Sequence, residues 1–259
     1  MRAARGSRRS GSAAVEVAVE DGVAWITLAR PRTGNACDAE LMGALADACA
    51  QVEDEDGATV VVLAARGPRY SVGLPRGHRW PPPAWPDGVA AVAALTKPVV
   101  AAIQGEAAGW GLGLALACDL RVASRTAVLA VPGLAPGAFP GAGVTQRLAR
   151  SIGVARTLEL VLLGAPLPAP RAVEWGLVNA VVAPARLPAA VATVARRLAA
   201  RGPLALRLAK EAVLRALDLP LVDGIRLEED LYVLSQTTED RREGIRAFLE
   251  RRQPRFAGR

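Results

Sequence analysis

The stretch Ile103-Gln-Gly-Glu-Ala-Ala-Gly-Trp-Gly-Leu-Gly-Leu-Ala-Leu-Ala-Cys-Asp119 decides how this chain is read. An apolar run over residues 98–103 leads into it, glycines open it, and small residues at helical spacing take over near Gly111. A strand, a tight loop and a helix start in that order leave unpaired backbone N–H groups and the positive end of a helix dipole aimed at one place. Such a place can hold a developing oxyanion. The plainer alternative is a loop in which glycine permits two backbones to approach closely.

Working outward, residues 15–19 and 23–28 alternate apolar and polar around Asp21-Gly22, which predicts a β-hairpin. Asp38 is placed to cap a helix whose Leu41, Leu45, Cys49 and Val52 recur at helical spacing, ending at Gly57. Residues 60–63 read as a buried strand, and residues 66–88, rich in Gly, Pro, Arg and Trp, as a long loop of the kind that often carries function. A helix over 89–95, a strand over 98–103 and short strands near 120–123 and 128–131 follow. From Gly143 the pattern is helical, broken by turns at Gly153, 166–170, Pro184, Gly202-Pro203 and Pro220. Alternating strands and helices imply an α/β fold with a largely parallel sheet. The expected organisation is a disordered basic tail over 1–14, a β/α core over 15–200 and a helical region over 201–259.

With 259 residues, 51% of them hydrophobic, the chain can bury a full core as one domain plus an appendage. No apolar run reaches membrane-spanning length, and the Arg-rich start lacks the apolar stretch of a secretory signal, so a cytoplasmic protein with no membrane partner is expected. The formal charge of +7 sits at the ends: four arginines and no acid over 1–14, and seven arginines against Glu243 and Glu250 over 241–259, which leaves the body slightly acidic. A charged tail is usually a solvated one, so no nucleic-acid partner is expected. Cys37, Cys49 and Cys118 form no CxxC, and His78 is the sole histidine, which argues against a disulfide framework or a metal site.

The 103–119 segment closely resembles the oxyanion region of the enoyl-CoA hydratase/isomerase (crotonase) superfamily, and the likeness extends over about residues 15–256. Supporting motifs are Arg30-Pro31 with Asn35-Ala36, Thr96-Lys97-Pro98, Pro140-Gly-Ala-Gly-Val-Thr-Gln-Arg-Leu148, Glu174-Trp-Gly-Leu-Val178 and Thr238-Glu-Asp-Arg-Arg-Glu-Gly-Ile-Arg-Ala-Phe248. Tyr70-Ser-Val-Gly-Leu-Pro75 occupies the place of a further family motif. The resemblance implies a crotonase-like β/α spiral core, with the helical region at the interface of a trimer or a hexamer. It implies no permanently bound cofactor, coenzyme A entering as part of a thioester substrate. Leu74 and Trp110 would supply the two oxyanion N–H groups, and Ala36, Ser71, Gly73, Arg76 and Arg251 would lie along the CoA, Arg251 meeting a phosphate. Arg69 flanks the first donor and could meet the pyrophosphate.

The departures from the family pattern concern the acid/base groups. Gly113 and Gly133 stand where family hydratases carry two glutamates, so ordinary hydration has no general base. Glu106 and His78 are the candidate substitutes, although a charged loop residue can equally be solvated. Trp110 stands where the family has glycine, and its indole could either line the pocket or fill it. The sequence therefore supports an acyl-CoA enzyme working through an enolate-like intermediate, by decarboxylation, retro-Claisen cleavage or isomerisation. The other reading is an acyl-CoA binder that has lost its chemistry.

Overall fold

The computed structural model describes residues 8–75, 77, 85–132, 134 and 139–259. A hairpin opens the fold. Strands β1 (Arg8–Gly11), β2 (Val15–Glu20) and β3 (Val23–Leu28) pair antiparallel, with Asp21 and Gly22 both at positive φ between β2 and β3. Two left-handed residues make the turn whose twist matches the flanking strands. Residues 8–11 thus correct the expected tail. An edge strand needs only backbone groups, and β2 presents a free row of them, so the apolar pattern gave no sign of it.

Helix α1 (Ala39–Glu53) begins where Asp38 accepts from Leu41 N–H at 2.9 Å and buries Leu41, Leu45, Cys49 and Val52. It ends at Glu53 rather than Gly57, and Lys97 Nζ completes its last turn by donating to the Val52 and Glu55 carbonyls at 2.6 and 2.8 Å. Lys97 is 1% exposed, and burial lowers its pKa. The chain continues through β4 (Val60–Ala65), α2 (Gly88–Ala94), β5 (Val99–Ile103), β6 (Glu106–Ala108), α3 (Trp110–Ala117), β7 (Leu120–Ser124) and β8 (Val128–Ala130). Then come α4 (Val144–Ile152), α5 (Val154–Leu163), β9 (Leu167–Pro168), α6 (Ala169–Glu174), β10 (Ala180–Val182) and α7 (Leu187–Ala199).

The main sheet has the order β1-β2-β3-β4-β5-β7-β10 and is parallel from β3 onward, while β6, β8 and β9 form a small second sheet. A large apolar cluster packs α1, α2 and α3 on one face of the main sheet, and Leu187, Val191 and Ala195 of α7 seal the other. The mixed α/β architecture matches the expectation. Strand β10 lies inside a stretch read as helical, because three residues are too few to show a period of two.

The C-terminal region holds α8 (Pro203–Arg215), α9 (Leu221–Gln236) and α10 (Glu239–Leu249). Lys210 ties it to the core: its Nζ donates to the Leu95 and Lys97 carbonyls at 2.8 and 3.0 Å and pairs with Asp119 at 2.8 Å. The chain's only two lysines are thus both anchors bonded to backbone carbonyls. Neither α8 nor α9 buries a residue within the chain, and Leu221, Ile225, Tyr232 and Phe248 stand in solvent. Among the described residues no helix is long and apolar enough to cross a membrane.

Candidate active site

Two backbone segments meet to form the site. Residues 70–74 run beside 104–108, with Tyr70 N–H donating to the Gln104 carbonyl at 2.8 Å and Ser71 N–H to the Glu106 carbonyl at 3.0 Å. Ala108 N–H returns a bond to the Ser71 carbonyl at 3.0 Å. The approach is too close for side chains: a Cβ on Gly73 would lie 2.6 Å from the Ala108 oxygen and 3.2 Å from the Trp110 nitrogen. One on Gly111 would lie 2.5 Å from the Ser71 oxygen. Glycine here answers to contact across the seam, and the seam sets Gly73, the residue before Leu74, against the Trp110 nitrogen.

Trp110 is the first residue of α3, so its N–H precedes the helical hydrogen-bond ladder. Neither its N–H nor that of Leu74 donates to any described residue. The site therefore presents backbone donors at the positive end of a helix, the arrangement that stabilises negative charge forming on a carbonyl oxygen. The Trp110 indole is partly buried and packs toward the following turn, where a Cβ on Gly141 would lie 2.8 Å from Nε1. The indole is directed at α4's entry turn.

Behind the donors, residues 34–37 brace the loop. Asn35 is fully buried at φ 53; its Oδ1 accepts from Arg30 N–H at 2.9 Å, and its Nδ2 donates to the Arg66 and Arg69 carbonyls at 3.0 and 2.9 Å. Ser71 Oγ donates to the Asn35 carbonyl at 2.7 Å and accepts from Gly73 N–H at 3.2 Å, while Cys37 N–H donates to the Gly73 carbonyl at 2.7 Å. Ala36 and Ser71, assigned to CoA by resemblance, are buried, and so is Gly73; the Ser71 hydroxyl is spent on the loop itself. They support the donors from behind. The sequence motif named Asn35 only as a neighbour of Ala36; a residue that bridges backbone groups more than thirty positions away leaves no local pattern.

Gly113, where the resemblance expects a glutamate, has no room for a side chain. Gly113 is buried, and a Cβ there would lie 2.7 Å from the Ala142 methyl and 3.0 Å from the Ala142 carbonyl oxygen. Ala142 itself is at φ 57, a left-handed conformation unusual for a residue with a side chain. Gly133 and the candidates Arg76 and His78 lie outside the described residues. Glu106 forms a half-exposed ion pair with Arg69, at 3.6 Å. Arg69 therefore already has an acid partner. Arg251 follows α10 at φ 51, exposed, with its guanidinium bonded to no described residue. The neighbouring Arg252 is the one held, by Glu243 and Glu250.

Cysteine chemistry is disfavoured. Burial pushes the Cys37 and Cys118 thiols up to about 12 and raises Tyr70 well above its ordinary value, so all three stay neutral. Among the described residues no cluster of three His, Cys, Asp or Glu could hold a metal.

A sequence model described as enoyl-CoA hydratase/isomerase matches residues 18–259. The (E)-benzylidenesuccinyl-CoA hydratase of Thauera aromatica is 34% identical over 253 residues, covering 94% of this chain and 99% of that protein. Among solved structures, an enoyl-CoA hydratase subunit I from Geobacillus kaustophilus HTA426 superposes with a TM-score of 0.89 at 38% identity, covering 96% of this chain and all of that one. An enoyl-CoA hydratase from Mycobacterium tuberculosis H37Rv gives a TM-score of 0.89 at 33% identity, with the same coverage.

Proposed function

The chain belongs to the enoyl-CoA hydratase/isomerase family, and from that starting point we propose that it binds an acyl-CoA thioester whose carbonyl oxygen accepts from Leu74 and Trp110 N–H. The observation that carries this reading is the pair of backbone donors left without acceptors among the described residues where the 70–74 loop meets the start of α3. Each such donor contributes on the order of a hundredfold to a thousandfold when charge develops on the oxygen. Coenzyme A enters as part of the substrate, with no resident cofactor. Exposed Arg251 is suited to one of its phosphates, and Arg76 is the second cation of that kind in the sequence.

Two glycines at the glutamate places, one of them walled by Ala142, favour reactions in which the substrate supplies the electron pair. Decarboxylation is the simplest: the carbon–carbon bond breaks, its electrons pass to the thioester enolate held by the two N–H groups, and CO2 leaves. Retro-Claisen cleavage and isomerisation need a proton carrier, for which Glu106 and His78 are the candidates. The wall at Gly113 also favours a second reading, a binder without chemistry.

Calorimetry with acetyl-CoA and free CoA, beside a crotonyl-CoA hydration assay, tests these readings. We expect the thioester to bind more tightly than free CoA, and hydration to run about a hundredfold to ten-thousandfold below that of a hydratase with both carboxylates. Hydratase-level turnover would overturn the missing-base argument. Failure of both ligands to bind would overturn the acyl-CoA reading, and binding without turnover on malonyl or β-keto thioesters would select the binder.

We propose further that the chain assembles as a trimer, or as a hexamer of two trimers, through the C-terminal helices. Leu221 is 79% exposed and Phe248 83%, and apolar surface of this extent on two neighbouring helices calls for a partner. Sedimentation velocity is expected to show three or six copies, and Leu221→Glu together with Ile225→Glu to shift the mass downward. A wild-type monomer would exclude the proposal.

A further inference from the structure

We propose that Arg147 is a positioning residue for the oxyanion site. It holds the turn at Ala142 and Gly143 against Gly113 and the Trp110 indole, and through them keeps the first turn of α3 aimed at the thioester carbonyl. The proposal rests on the acyl-CoA reading above and adds a residue to it.

Four observations converge on this arginine. Its Nη1 donates to the Ala142 carbonyl at 3.0 Å from within α4, folding back over the helix's own entry. Consecutive residues Ala142 and Gly143 are both at positive φ, 57 and 69. A residue with a side chain holds that conformation only where its surroundings impose it. A Cβ on Gly143 would come within 2.3 Å of Arg147 Nη1, so the glycine makes room for the guanidinium to reach back. Beyond the turn, the Ala142 methyl abuts Gly113, the fourth residue of α3, and Gly141 abuts the indole of Trp110 at its first residue. The turn therefore touches the oxyanion helix at two places in its first turn.

The coupling is mechanical. Without a side chain at 113, the volume a glutamate would occupy must be filled by something else, or α3 loses packing on that side. The Ala142 methyl fills it, at the expense of a left-handed backbone that Val144 N–H to Gly141 oxygen, at 3.1 Å, and Arg147 stabilise. Releasing the Ala142 carbonyl frees the turn to relax toward ordinary φ, withdrawing the methyl from Gly113 and the wall from the indole. The backbone donor at Trp110 then loses its fixed direction. Donor alignment matters for the thioester oxygen and not for the nucleotide end of CoA.

Arg147→Met, with Arg147→Lys as the milder variant, is titrated with acetyl-CoA and with free CoA. The expected result is that the affinity advantage of acetyl-CoA over free CoA falls about tenfold in Arg147→Met, with free CoA affinity within about twofold of wild type and Arg147→Lys between the two. A purely structural role would lower both affinities together or neither, and either outcome overturns the proposal. A second measurement needs no ligand: acrylamide quenching of Trp110, isolated by subtracting the Trp110→Phe background, is expected to rise in Arg147→Met. If wild type binds neither ligand, the acyl-CoA reading has failed, and the quenching result alone decides whether Arg147 holds the turn. Unchanged quenching would overturn it.

Discussion

Replacing Gly113 by glutamate is expected to unfold the protein more readily without restoring hydratase activity. The new Cβ would start 2.7 Å from the Ala142 methyl and 3.0 Å from a backbone oxygen, neither of which is the movable end of a long side chain. Overpacking of this kind costs about 1–3 kcal/mol, and a carboxyl buried without a partner adds a desolvation cost of similar size. A total loss of roughly 3–5 kcal/mol is expected, read as a fall in the urea midpoint with an unchanged slope. Because the nearest contact is the Ala142 methyl, Ala142→Gly should rescue part of the loss: that change removes the methyl and relieves the left-handed backbone at once. The double variant is expected to recover about 1–2 kcal/mol beyond additivity. A Gly113→Glu single variant of wild-type stability that hydrates crotonyl-CoA would show that the turn yields easily and that Ala142 is no wall.

The second large effect is expected at Asn35. Its side-chain amide joins Arg30 N–H to the Arg66 and Arg69 carbonyls, and its own carbonyl accepts from Ser71, so one residue locks the loop that carries Leu74. Asn35→Ala strands three backbone groups and is expected to cost about 3 kcal/mol. Asn35→Gly separates two causes, because glycine accepts φ 53 without strain. If the amide network is what matters, the glycine variant loses nearly as much stability as the alanine variant and acetyl-CoA binding weakens in both. A near-neutral Asn35→Gly would mean that backbone conformation, not the bridging amide, holds the loop.

These two residues show how the site divides between what was legible and what was not. The strand leading in and the helix start at Trp110 were readable because each has a local signal, an apolar run and small apolar residues at helical spacing, whereas strand β6 within the stretch read as a loop was not, since three residues are too few to show a period of two. The hairpin at Asp21-Gly22 and the cap at Asp38 were readable for the same reason. Asn35, Lys97 and Lys210 were not, because each acts by reaching carbonyls far along the chain, and nothing in their own neighbourhoods announces which ones.

Residue chemistry was settled before folding: glycines at 113 and 133 carry no acid, and no arrangement of the backbone can give them one. The direction of the Trp110 indole, toward Gly141, could not be read in advance, because it depends on where α4's entry turn comes to rest. That turn rests on Gly113 only because Ala142 takes a left-handed conformation that its own residue type disfavours. Local sequence expresses preferences of a residue for its immediate neighbours. The filling of the space beside Gly113 is instead a contact between α3 and the α4 turn that packing imposes against such a preference.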